Sequence, residues 1–173
     1  MTGKNQRLGR LFGLATLAFS VAATGVAHAQ SESEGPGETL SGEVARAYEA
    51  GVEALRTRNF EGAIEQFDKV LDDEKDHPEA NYFMGMAYAY LSDDKRAERH
   101  FGRAVKARES FVEAREWLAV VQVRRGDRKD AEDQLAAIRA LRASCTADTC
   151  DDAYEARATR AIEKVTATLD AAN

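Results

Sequence analysis

The sequence predicts an all-α fold: an array of stacked helical hairpins closed by one extra helix. Composition points there first. Among 173 residues there are only two prolines, 31% are charged, and Ala, Glu, Arg and Leu are abundant, which favours helices over a sandwich or barrel. The second observation is self-similarity. Gly51 recurs as Gly85 and Ala119, Ala63 as Ala97 and Ala131, Phe67 as Phe101 and Leu135, and Val70 as Ala104 and Ile138, always 34 residues apart. A period of that length marks a repeat architecture. Third, the apolar residues inside each period recur at steps of three and four, as on one face of a helix.

In chain order, residues 1–29 read as a secretory signal. MTGKNQRLGR is basic, LFGLATLAFSVAATGVA is apolar and uncharged, and Ala27-His28-Ala29 offers small residues for cleavage after Ala29. The alternative is an uncleaved anchor, but its apolar run of 17 residues is near the lower limit for crossing hydrocarbon and contains Gly13, Ser20, Thr24 and Gly25. No cysteine near the cut offers a site for lipid, and no Arg-Arg pair points to the twin-arginine route. The Ala-rich signal suggests a bacterial protein exported to the periplasm. Cleavage leaves 144 residues with a net charge of −9 in place of −6. That size suits one domain, and the excess of carboxylates argues against nucleic acid as a partner. Residues 30–40, QSESEGPGETL, are polar and Gly/Ser-rich and read as a disordered leader.

Three repeats follow over residues 41–143, at about 44–77, 78–111 and 112–143. RAYEAGVEALRT, NFEGAIEQFDKVL, EANYFMGMAYAYL, KRAERHFGRAV, VEAREWLAVVQV and DAEDQLAAIRAL read as six helices, with tight turns at Arg58-Asn59, Ser92-Asp93 and Arg125-Gly126-Asp127. Each pair has more apolar surface than it can bury alone, so pairs must stack. Gly51, Gly85 and Ala119 are predicted to let the partner helix approach, and Phe67, Phe101 and Leu135 to fill the space between units.

Residues 144–173 hold the end of the array. Tyr154, Ala158, Ala161 or Ile162, Val165 and Leu169 define an amphipathic capping helix, its wet side carrying Glu155, Arg157, Arg160, Glu163 and Lys164. Before it stand Cys145 and Cys150, the only cysteines. In an exported chain so close a pair reads as a disulfide that sets the docking of the cap. A free reactive pair is the alternative. A thioredoxin-like site is disfavoured, because four residues and not two separate the cysteines.

These small and large positions resemble the tetratricopeptide repeat family from Val44 to roughly Arg142. Met84-Gly85, Tyr88, Ala97 and Phe101 match its pattern best. Ala50-Gly51, Ala54, Ala63 and Phe67, then Leu118-Ala119, Gln122, Ala131 and Leu135, match it less closely. The family's early aromatic is replaced by Ala47, Asn81 and Arg115, and its late proline by Lys75, Glu109 and Ala143. The resemblance implies a right-handed superhelical array of three helix pairs, with the first helix of each pair lining a concave groove. Carried over, the groove positions are Tyr48, Val52 and Arg56; Tyr82, Met86 and Tyr90; and Glu116, Val120 and Arg124. The carboxylate clamp of some members is absent, its positions being held by Tyr48, Val52, Phe83, Glu113 and Trp117.

No catalytic constellation appears: there is no phosphate loop, no His-Glu-x-x-His and no Gly-x-Ser-x-Gly. No cofactor or metal is implied. His77 reads as ending a helix, His100 as a partly exposed packing neighbour, and the pairs Asp72-Asp73, Asp93-Asp94 and Asp151-Asp152 as solvated helix ends. The expected function is a non-enzymatic adaptor whose aromatic and aliphatic groove holds a segment of another envelope protein, with no stable membrane insertion after cleavage. Replacing Tyr82 and Tyr90 by serine should then abolish capture without unfolding. The alternative is a structural protein that self-associates as a homo-oligomer without a separate ligand.

Overall fold

A computed structural model describes residues 36–146 and 149–172, with side chains from Gly42 onward. The signal reading of residues 1–29 lies outside the described residues. Seven helices follow one another: α1 Pro36–Arg56, α2 Phe60–Asp73, α3 Pro78–Tyr90, α4 Asp94–Ala107, α5 Val112–Arg125, α6 Arg128–Ala143 and α7 Asp152–Ala171. The chain is an all-α solenoid of stacked hairpins with a final capping helix. α1 begins ten residues before the expected RAYEAGVEALRT, so a disordered leader does not hold over Pro36–Leu40. Pro36 opens that helix, a position where its fixed φ and missing N–H cost nothing.

Every helix touches the next, and α1 touches α3, α3 touches α5 and α5 touches α7. α2, α4 and α6 do not approach one another among the described residues. The stack is therefore tighter along its odd-numbered helices, which bends those helices into an inner wall.

The packing repeats with the period. Gly51 and Gly85 are buried, and a Cβ on either would stand 2.8 Å from the ring of Phe67 or Phe101 respectively. Both phenylalanines are fully buried, as are Ala63, Ala97 and Ala131. Phe83 stacks on Phe67 at 5.6 Å and Trp117 on Phe101 at 6.0 Å, so each ring joins its own pair to the next one. In the third pair Ala119 and the smaller Leu135 hold these positions, both buried in one apolar cluster.

The turns repeat as closely. Arg58, Ser92 and Gly126 have φ of 61°, 62° and 86°. The N–H of the residue after each donates to a carbonyl five residues back, from Asn59 to Ala54, Asp93 to Tyr88 and Asp127 to Gln122. These are the paired bonds of a helix stop that uses a left-handed residue. Asn59 and Asp93 also accept the N–H of Gly62 and Arg96, which caps α2 and α4.

The slots where the family's aromatic and proline are missing turn out to be coupled. The Asn81 amide donates to the carbonyls of Lys75 (2.9 Å) and His77 (3.0 Å), and its oxygen accepts from Nδ1 of His100 at 3.2 Å. One period later, Arg115 donates to the carbonyl of Glu109 at 2.9 Å and to Gln134 at 3.0 Å. A polar side chain in the aromatic slot thus ties down the turn that lacks a proline. Because both Asn81 amide protons are engaged with carbonyls, the His100 ring must carry its proton on Nδ1. His100 is only 6% exposed, so the expectation of a partly exposed histidine is corrected. Burial, with Arg103 and Arg99 nearby, pushes its imidazole down to about 4. His77 begins α3 and does not end a helix: its Nδ1 accepts the Ala80 N–H at 3.3 Å.

α7 buries Ala158, Ala161, Val165 and Leu169 against the third pair, while Tyr154 and Ile162 remain half-buried. Asp151 caps it by accepting the Tyr154 N–H at 2.6 Å. The Cys145–Cys150 disulfide, with a Cα separation of 5.4 Å, closes the loop before it.

Candidate peptide-binding groove

The nine positions expected to line the groove lie on α1, α3 and α5, and they divide into three kinds. Tyr48 and Tyr82 are half-buried structural aromatics. Tyr48 lies 6.0 Å from Phe67 and 5.5 Å from His77. One period on, Tyr82 lies 6.0 Å from Phe101 and 5.0 Å from Phe111. Burial, with Glu113 and Glu116 adding negative charge, raises the Tyr82 hydroxyl well above the usual phenol range. Tyr82 therefore holds the α3–α5 junction together, and its replacement by serine would disturb that junction as well as the wall.

The second kind is already engaged in ion pairs. Arg56 makes a two-pronged contact with Glu53 on its own helix, at 2.7 and 2.8 Å. Arg124 reaches back to Asp94 at 2.6 Å. Glu116 is bound by Lys164 of α7 at 2.5 Å, and the same ammonium lies 4.8 Å from the Trp117 ring. Arg157 of α7 likewise pairs with Glu113 at 3.0 Å. Part of the capping helix's expected wet side is thus turned onto α5. Periodicity alone cannot reveal this, because α7 does not continue the repeat.

The third kind is apolar, and two of its four side chains are open to solvent. Val52 is 36% and Tyr90 48% exposed, while Met86 and Val120 are half-buried. Phe60, from the start of α2, stacks on Tyr90 at 4.8 Å, and Trp117 meets the same ring edge-on at 5.8 Å. Val52, Met86 and Tyr90, with Leu55 and Phe83, line a pocket of about 370 Å3 between α1 and α3, and Arg56 and Arg58 stand in its wall too. Sequence reasoning missed this pocket. Phe60 and Tyr90 are far apart in the chain, and no spacing rule relates them.

Among the described residues no group of three or more His, Cys, Asp or Glu side chains could hold a metal ion, and no helix is long and apolar enough to cross a membrane.

An array of helical hairpins with an inner wall of alternate helices is a non-catalytic scaffold for other chains. A family profile described as Tetratricopeptide repeat matches residues 48–98 and 84–145; the chain belongs to the tetratricopeptide repeat family. No curated protein matches it in sequence. Among solved structures it is similar to the TPR2B domain of yeast Sti1 in a pHsp70 complex, at 18% identity over 72% of this chain and 97% of that one, with a TM-score of 0.60. PcrH in complex with the chaperone binding region of PopD is similar at 19% identity, 73% and 93% coverage and a TM-score of 0.61. The Sgt2 TPR domain from Aspergillus fumigatus gives 17%, 76%, 82% and 0.59. At such identities the likeness is one of fold.

Proposed function

We propose that the protein is a non-enzymatic adaptor of the bacterial envelope, exported and cut after Ala29, that holds a segment of a partner protein along the wall of α1, α3 and α5. The observation that carries this reading is the apolar surface of the exposed Val52 and Tyr90, which with the half-buried Met86 line one pocket of that wall. Exposed apolar surface gathered in a concavity is a common mark of a binding site. Two structures of the same fold, those of Sti1 and PcrH, are of complexes with another protein's segment or chain, which supports a role in holding a partner for this chain. Export is supported by the order of charge and apolar residues in 1–29 and by the Cys145–Cys150 bond, which suits an oxidising compartment.

Affinity capture from an envelope extract tests the reading, using the wild type beside Tyr90→Ser and Val120→Ser. Loss of the retained partner in either variant, with helix content unchanged, is the expected result. Unchanged capture would count against the groove. Light scattering of the purified protein tests the competing assignment: a stable homo-oligomer that retains no foreign chain would favour a self-associating structural protein.

A further inference from the structure

The pocket between α1 and α3 differs in its charge from four other concavities of the described surface. Those four each include a carboxylate: Asp151 beside the disulfide, Glu43 at the start of the array, Glu61 on the outer side, and Glu79 between α3 and α5. This one has six apolar walls and two arginines, with no acid lining it, in a chain whose formal charge is −6. Glu53 already satisfies Arg56. Arg58 has no side-chain hydrogen bond or ion pair among the described residues. Arg58 occupies the left-handed region at φ 61°, at the turn position where the third repeat carries Gly126. The helix-stop bonds account for that conformation, as they do at Ser92: the Arg58 N–H donates to the Leu55 carbonyl at 3.0 Å and the Asn59 N–H to that of Ala54 at 2.8 Å. An arginine side chain left without an internal partner at the edge of an apolar pocket is available to a carboxylate of a guest.

We propose that this pocket seats the apolar side chain of an acidic peptide segment, and that a carboxylate next to that side chain pairs with Arg58. The assignment rests on the groove reading above and names the chemistry of its guest. The apolar side chain supplies the desolvation, and the arginine selects among apolar segments by charge and by on-rate. Binding should therefore weaken with added salt.

Selection of random dodecapeptides on the full chain tests the assignment. The expected ligands carry an aliphatic or aromatic residue within two positions of an aspartate or glutamate. Their affinity should fall about fivefold or more in Arg58→Glu and change less than about twofold in Arg58→Lys, as expected for a charge at the rim. Val52→Trp, which fills the pocket, should weaken the same ligands, with circular dichroism reporting that each variant is folded. Ligands without acids, or ligands indifferent to both Arg58→Glu and Val52→Trp, would overturn the assignment. If those ligands were instead lost in Val120→Trp, the groove would stand and only the pocket would fall. Recovery of no ligand at all would remove the groove reading together with it.

Discussion

A Cβ placed on Gly85 would lie 2.8 Å from Cδ1 of the Phe101 ring. The glycine and the phenylalanine are one fit: the missing side chain of α3 is the space that the ring of α4 occupies. The third repeat makes the opposite choice at both positions, with Ala119 and Leu135. Gly85→Ala should therefore cost about 1–2 kcal/mol, overpacking outweighing the gain in helix propensity. In a denaturant titration, adding Phe101→Leu should recover part of that loss. A double-mutant coupling below about 0.5 kcal/mol would show that the two positions are independent.

Phe101 is fully buried and meets both Tyr82 and Trp117. Phe101→Ala is expected to destabilise by about 3–5 kcal/mol. A loss well under 1 kcal/mol in urea unfolding would contradict the packing.

The three left-handed turn positions carry Arg58, Ser92 and Gly126. Ser92→Gly should raise stability by up to about 1 kcal/mol, because it relieves the backbone, and Gly126→Ala should lower it by about the same amount. Thermal denaturation of the two variants should give melting temperatures shifted in opposite directions.

His100 gives the stability a pH dependence of known sign. In the unfolded chain the imidazole titrates near 6.5, and in the fold at about 4. Between those values the unfolded state takes up a proton that the fold refuses, so stability falls as pH drops through that window. The loss should reach about 3 kcal/mol by the lower end. His100→Gln, which installs the residue type of the equivalent Gln134, should keep a bond to Asn81 and flatten the curve. Equal slopes for the wild type and His100→Gln from pH 6.5 to 4 would refute the assignment.

Removing the bridge by Cys145→Ala with Cys150→Ala should cost about 2 kcal/mol, the closure entropy of so short a loop. α7 should stay docked, because Ala158, Ala161, Val165 and Leu169 hold it independently. Hydrogen exchange in α7 would report undocking.

Much of this fold was legible in the chain, because a repeat states its own packing several times. The positions of Gly51, Ala63 and Phe67 recur one period on, and the structure buries each set. The polar ties of Asn81 and Arg115 keep the same interval, as do their partners His100 and Gln134. They could have been found by treating the departures from the family's pattern as a set. The aromatic wall could not be read so far. Tyr82 and Tyr90 look alike in sequence, yet one is half-buried at a junction and the other stands 48% exposed at a pocket.

By itself, then, the sequence determined the helical hairpins, their period and the matched sizes that let them stack, since these depend on residues a fixed distance apart in one chain. Tertiary structure decided which groove positions remain open. Glu116 is taken by Lys164 from the non-repeating α7, and Tyr90 is shaped into a pocket by Phe60 from the neighbouring pair. Exposure on a wall is set by side chains that arrive from other helices, and the spacing within one helix carries no record of them.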